Sequence, residues 1–539
     1  MRQGWKGRLS YQTEVKGADK VLHIRENAVD ENEDVRLRKE WTEVDGFSVL
    51  TLKLEPRRTL KLRNVYMDRW IPEDQGDRLH MNGFQSWTES REWGRTELMH
   101  GLRNIFFPWI NKYHLDKYGD YSFTHYRPDR IHGYSWCYFR NADELLFLGS
   151  MSEQLGYTRF YWYRQSSVLR VERDCEGLQV NSPIPLLHLL ITSGEEAEVF
   201  DTYFNALEIE SRAPIMSGWT SWYRHYSSVT ADIVRENLQA FRNLRIPIQV
   251  FQIDDGWERA IGDWLELDAS FDGRMRSLAE EITAAGYTPG LWIAPFIVEE
   301  ASNIFREHPE WCVTDEHGRP RKMGYNPFQW RGNFYALNIY LSAVRDYLRQ
   351  VFHRIIHEWG YRFLKLDFLY AVARVPFSGR SRGMIMSDAM DFLYTLCGDA
   401  VTLGCGVPLA FAVGRNHYCR IGADVAPKWE DRALRLLGYR ERVSTVNSLR
   451  STIGRRALNG RAFVNDPDVF ILRGDQHQLN REEQYSLFVV NRVYGGLLFT
   501  SDNPSEYAAD QLKLYLSQFP LRKVELQRAD QHTAVFRID

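Results

Sequence analysis

The spacing of apolar residues changes character once along the chain. Up to about residue 205 they fall in short alternating segments, FSVLTLKL at 47–54, ELLFLGSM at 144–151 and PLLHLLIT at 185–192, with Gly, Pro, Asp and Asn between them. A period of two marks strands with one buried face, and turn residues at short intervals predict a β-sandwich. Beyond Ala213-Pro214 the pattern becomes strand, helix, strand. GWTSWY at 218–223 is followed by Val234, Leu238 and Phe241 at helical spacing, then by IPIQVFQIDD at 246–255. Leu278 and Ile282 mark a second helix that Gly286 stops, before the apolar strand TPGLWIAPF at 288–296. Val344, Leu348, Val351 and Ile355 stripe a third helix, closed by Gly360 ahead of RFLKLDFLY at 362–370. FVNDPDVFIL at 463–472 and GGLLFTSD at 495–502 supply the last strands, and the tail KVELQRADQHTAVFRID reads as a hairpin. There is no internal repeat and no low-complexity segment.

Repeated βα units build either a doubly wound sheet or a closed barrel. The barrel is favoured because polar, reactive residues recur at many strand ends: Trp222, Asp254–Asp255, Trp292, Lys365–Asp367, Cys405 and Arg420–Asp424. A doubly wound sheet gathers its site at one switch point, whereas a barrel converges all its strand ends on one mouth. At 539 residues the chain has room for several units. The expected architecture is multidomain, α/β and β: an N-terminal β-sandwich at 1–205, a central (β/α)8 TIM barrel at 213–505 and a short C-terminal β segment at 506–539.

Apolar residues at 44% and charged residues at 26% suit a packed globular protein, and a formal net charge of −3 gives no long-range field to gather nucleic acid or an anionic membrane. Neutral partners are expected. Aromatic content is 14%, with 17 Trp, mostly core by default, although an indole also packs well against the C–H face of a sugar. The six cysteines are scattered without a CxxC, MRQGWKGRLSYQTE lacks an apolar leader core, and no run is long enough to span a bilayer, so a cytoplasmic protein is expected.

Two apolar runs end in carboxylates with a cation nearby, RFLKLDFLY at Asp367 and RIGADVAPKW at Asp424. Facing each other across a barrel mouth, such a pair suits glycosidic bond cleavage, which uses one ionised nucleophilic carboxylate and one carboxyl acting as acid and then base. Lys365, two positions before Asp367, shares its strand face and favours the ionised form. Arg420 stands four before Asp424, placed to bind a hydroxyl or steady a carboxylate. Asp254–Asp255 end an apolar strand and offer acceptors for two sugar hydroxyls. Ordinary ion pairs capping strand ends, and an Asp-Asp-Gly turn, are the plainer alternatives.

Taken together, NGFQSW at 82–87, GWTSWY at 218–223, FQIDDGWERAIGDW at 251–264, GLWIAPF at 290–296, KLDF at 365–368, LGCGVPL at 403–409, RIGADVAPKW at 420–429 and NDPD at 465–468 resemble glycoside hydrolase family 36, of the retaining α-galactosidase clan. The resemblance implies an N-terminal β-supersandwich before the barrel, Asp367 as nucleophile and Asp424 as acid/base. It puts Asp254 and Asp255 on the O4 and O6 hydroxyls, and Lys365 and Arg420 on others. Trp222 and Trp292 would wall the glycone pocket, Cys405 would stand near O2, and Trp87 would reach over the mouth. It implies an α-galactoside oligosaccharide as substrate and no cofactor or metal. One departure is that too few residues follow the barrel for a full C-terminal sandwich, which leaves the oligomeric state open.

Other signals weigh less. His353 and His357 stand one helical turn apart, a zinc-compatible spacing, but on the stability face of a barrel and without a third ligand. His225 either lines the pocket or is structural. Gly404-Cys405-Gly406 lacks the third glycine of a dinucleotide loop. The Arg-rich stretch 432–442 reads as a solvated helix face, with a phosphate site as the alternative. Transglycosylation, an N-acetylgalactosamine or β-L-arabinopyranose glycone, and a non-catalytic sugar-binding protein are the rival functions.

Overall fold

A computed structural model of the chain describes residues 4–13, 17–103, 107–211, 213–327, 329–529 and 533–538. Residues 1–3 and the turn of the expected tail hairpin lie outside these.

Residues 6–195 fold into two antiparallel sheets packed face to face. The alternation in the sequence is what sorts their faces: in strand Phe47–Pro56, Leu50, Leu52 and Leu54 are buried while Lys53 is exposed. Leu52, Leu62, Phe139, Trp162 and Val171 fill the space between the sheets. One sheet is apolar on its second face as well. There Tyr138, Phe147 and Leu190 meet Phe200 and Tyr203 of helix Glu196–Ala206, in a core continuous with that of the next unit. The sandwich is therefore fused to its neighbour by apolar packing.

Eight parallel strands follow, β1 Met216–Thr220, β2 Val250–Ile253, β3 Thr288–Ile293, β4 Phe363–Leu366, β5 Val401–Gly404, β6 Tyr418–Arg420, β7 Val464–Asp466 and β8 Leu497–Thr500. They pair in order from β1 to β7, with β8 beside β1. The seam between β7 and β8 is closed by a Val469–Phe499 bridge and by the Gly496 N–H on the Asn465 carbonyl at 2.9 Å. Strands β2, β4, β6, β7 and β8 are buried at every residue and β1, β3 and β5 at every residue but the first, as expected when side chains fill the interior and helices cover the outside. The outer helices form where the apolar stripes predict them. Ala231–Asn243 buries Val234, Leu238 and Phe241 and is capped by the Thr230 hydroxyl, which accepts from Ile233 N–H. Ser342–His353 runs on through a π-helical turn to Trp359 and ends at Gly360, whose φ of +93° is open to glycine without strain.

A small antiparallel sheet, Ile297–Glu299, Lys322–Asn326 and Gly332–Ala336, is inserted after β3 and lies beside the mouth. After helix Ala509–Leu516 the last element is the hairpin Val524–Ala529 and Ala534–Ile538, docked by Phe536 against Tyr494. Among the described residues no helix is long and apolar enough to cross a membrane.

Candidate active site

Asp367 follows the last residue of β4, and its backbone N–H still bonds the Ile293 carbonyl of β3 at 2.9 Å. The next residue, Phe368, turns left-handed at φ +54°, a conformation costing of order 1–3 kcal/mol outside glycine. That turn folds the Phe368 N–H back onto Asp367 Oδ1 at 2.8 Å. The other oxygen accepts the Trp292 indole N–H at 3.0 Å, and the Cys405 thiol also hydrogen-bonds the carboxylate. Burial pushes the Asp367 pKa up, and so does Asp424, while the Lys365 charge and the Trp292 and Cys405 donors pull it down. Cys405 accepts in turn from the Trp87 indole at 3.2 Å. Gly406 lets this contact form, since a Cβ there would lie 3.0 Å from Trp87 and 3.1 Å from the Phe368 backbone.

Asp254 and Asp255 stand past the end of β2. Asp254 Oδ2 collects Lys365 Nζ at 2.8 Å, Gln252 Nε2 at 2.8 Å and the Thr220 hydroxyl at 3.3 Å. Burial works against the charge on Lys365, but Asp254 outweighs it and the ammonium is held charged. Asp255 Oδ2 accepts the Trp330 indole N–H at 2.9 Å.

Arg420 ends β6 and holds three carboxylates. Its guanidinium reaches Asp424 Oδ1 at 2.8 Å, Asp466 Oδ2 at 3.0 Å and Asp468 Oδ1 at 2.8 Å. Asp466 and Asp468 are almost fully buried, whereas the Asp424 side chain is 33% exposed at the mouth. Burial, with Asp424 and Asp466 alongside, raises Asp468 to about 7. The shape is of a lined well: Asp367 deep and clamped, Asp424 nearer solvent, acceptors to one side.

The structure thus brings Trp87, Asp254, Asp255, Trp292, Lys365, Asp367, Cys405, Arg420 and Asp424 to the C-terminal end of the barrel. Trp292 is buried and acts as a donor to Asp367. Trp222 lies half-buried in the short helix after β1, against Tyr226. His225 follows it, held neutral by burial and by Arg224 and Arg473 nearby, with a pKa lowered to about 4. His353 and His357 face solvent on the outer helix. One expectation is corrected. Only Arg432–Leu437 of the Arg-rich stretch is helical, and Arg440 and Arg442 are buried against the sandwich. Arg440 donates to the Glu89 carbonyl at 2.8 Å, and Arg442 pairs with Glu89 at 3.1 Å and Glu430 at 3.1 Å. Sequence reading missed Trp330, Tyr223 and Glu258. Within NDPD at 465–468, Asp466 and Asp468 clamp Arg420. The alternating polar pair in that motif at a strand end was the available signal. A cleft of about 790 Å3 lined by Arg242, Arg245, Gln249 and Thr288 sits at the other end of the barrel, away from these groups.

Residues 205–397 match the family model described as Melibiase. A probable α-galactosidase C of Aspergillus flavus is 25% identical over 213 residues, 36% of this chain and 27% of that protein, so the match spans about a quarter of the curated relative. An α-galactosidase from Thermus thermophilus, solved in complex with p-nitrophenyl α-D-galactopyranoside, superposes at a TM-score of 0.76 and is 28% identical, covering 94% of this chain and 95% of the other. The family 36 α-galactosidase AgaA of Geobacillus stearothermophilus shares the fold at a TM-score of 0.60 and 12% identity, covering 96% and 74%. The family-model match ends at Cys397, and the fold match continues through the strands that carry Arg420 and Asp424, so the likeness to α-galactosidases spans the barrel and the sandwich together.

Proposed function

We propose that the chain is a retaining exo-α-galactosidase that releases terminal α-linked galactose from oligosaccharides by double displacement. The observation that carries this reading is the contrast between two carboxylates in one mouth, Asp367 buried among fixed donors and Asp424 a third exposed beside Arg420. The donors on Asp367 orient it and offset burial, as a nucleophile requires. Asp367 attacks C1 while the glycosidic C–O bond breaks and Asp424 protonates the leaving oxygen. Water then attacks C1, Asp424 takes its proton, and the ester to Asp367 breaks. Asp254 and Asp255 accept the O4 and O6 hydroxyls, Lys365 and Arg420 bind or brace further groups, Trp222 and Trp87 wall the glycone, and Cys405 stands near O2. These steps call on no cofactor. The six free, buried cysteines suit a reducing compartment, and the reading places the enzyme in the cytoplasm. We take 1–205, 213–505 and 506–539 as its units.

The test is hydrolysis of p-nitrophenyl α-D-galactopyranoside followed by proton NMR, with the α-gluco and α-N-acetylgalactosaminyl analogues alongside. Galactose appearing first as the α-anomer is the expected result. Turnover of an analogue alone would overturn the glycone assignment, transfer to added sugar in preference to water would make the enzyme a transglycosylase, and silence on all three substrates would contradict the reading.

A further inference from the structure

Glu258 lies three residues beyond Asp255, on the loop after β2, and the reaction scheme above leaves it without a task. Its side chain is buried, as is that of Asp255, at 6% and 5% exposure. The two carboxyl groups hydrogen-bond one another. Two carboxylates have only acceptors, so this bond exists only if one of them carries a proton. The surroundings say why the proton stays. Asp254 stands beside the pair, and Glu299 of strand Ile297–Glu299 faces Asp255. Lys365, the ammonium at this end of the site, is spent on Asp254 at 2.8 Å. Glu299 accepts from the Arg331 and Ile261 backbone N–H groups, with Arg331 and Asp263 the charges acting on it. Among the described residues, the neutral Trp330 N–H is the group that reaches Asp255 itself from the inserted sheet. The loop is fixed on both sides, by the Glu258–Leu267 bridge and by the Trp257 indole donating to the Trp292 carbonyl at 2.9 Å.

We infer that Glu258 is a positioning residue for Asp255: it holds the proton shared by the pair and donates it to Asp255, which then accepts a sugar hydroxyl from a fixed orientation. Trp330 pins Oδ2 of Asp255, and Glu258 adds a second fixed donor to the same carboxylate. The pair carries one negative charge in this state. Burial first, and the neighbouring acids second, favour retention of the proton, raising Glu258 well above the usual carboxylate range and bringing Asp255 up to about 6. Loss of the last proton sets two contacting carboxylates against each other, and the acceptor for the sugar loses its orientation. Sugar affinity therefore falls on the alkaline side, as an effect on binding. The inference rests on the galactoside reading for the identity of the sugar, though not for the shared proton.

Glu258→Gln replaces the O–H donor with an N–H donor that does not titrate, and Glu258→Leu removes the donor. The inhibition constant of galactose, measured across about pH 6 to 9, is expected to rise with pH in the wild type and stay flat in Glu258→Gln, with Glu258→Leu weakened about tenfold near neutrality. Thermal melts supply a readout without sugar. A carboxyl with a folded pKa above its unfolded value gives stability that is present at low pH and is lost as pH climbs from the usual carboxylate range to the folded value. The wild type should lose more Tm than Glu258→Gln over that climb. A Glu258→Gln variant that follows the wild type in both measurements, or a folded Glu258→Leu variant that binds galactose as tightly as the wild type, would overturn the inference. Failure of galactose to bind the wild type would overturn the galactoside reading, and the melts would still decide on the proton. Should Glu258→Leu fail to fold, the Gln variant alone decides.

Discussion

Asp367 shows how one residue is prepared by its surroundings. Burial opposes its charge, and the Phe368 N–H, the Trp292 indole, the Cys405 thiol and the Lys365 ammonium push the other way. Removing the charge while keeping the shape should leave the fold intact and abolish the chemistry. We expect Asp367→Asn to lower kcat by about 10^4-fold or more, as loss of a nucleophile does, with little change in the thermal melt. Near-normal turnover by that variant would remove Asp367 from its role. Cys405 joins Trp87 to Asp367, so Cys405→Ala should cut kcat by about tenfold, one hydrogen bond to a charged group, without the collapse seen at Asp367. Steady-state kinetics on a chromogenic galactoside separate the two.

At the scale of elements, one buried cation ties the loop 82–87 that carries Trp87 to the barrel. Arg455 is fully buried and gives its N–H groups to Asn82 Oδ1 at 3.0 Å and to the carbonyls of Ser86, Gln85 and Ile421 at 2.6, 3.0 and 2.8 Å. Ile421 directly follows β6, so the same guanidinium ties the sandwich loop to the strand end bearing Arg420. Arg455→Met strands these acceptors and should cost about 3–5 kcal/mol in a denaturant melt, as loss of one partner in a buried charged network does. What was legible in the sequence follows the same line. The β1 to β4 strands and their helices announce themselves by period and by Thr230, Gly286 and Gly360, all local signals. Lys365 and Asp367 were legible as a pair because a strand fixes the geometry of residues two apart. The inserted sheet went unread, since KMGYN and GNFYA are short and only partly apolar, and Trp330 with it, because its partner Asp255 is 75 residues away. Arg440 and Arg442 misled for the same reason. Their partner Glu89 lies more than 350 residues off along the chain, and a run of arginines says nothing about a distant acid.

For the whole molecule the sandwich and the barrel act as one unit. They share a continuous apolar core through Tyr138, Phe147 and Phe200, and ion pairs cross between them at Arg442–Glu89, Arg382–Asp174 and Arg456–Glu196. The sandwich also completes the mouth by supplying Trp87. Residues 213–505 expressed alone should therefore expose that shared face and fail to give a soluble, active enzyme, which size-exclusion and activity measurements on the fragment would check. The division of labour between the two mouth carboxylates is tested most directly by azide rescue of two glycine variants on p-nitrophenyl α-D-galactopyranoside, with the anomer of the galactosyl azide read by NMR. Asp424→Gly keeps the nucleophile and should yield the α-azide, and Asp367→Gly, attacked by azide from the vacated face, should yield the β-azide. The opposite pattern, or the same anomer from both variants, would contradict the assignment of Asp367 as nucleophile and Asp424 as acid/base.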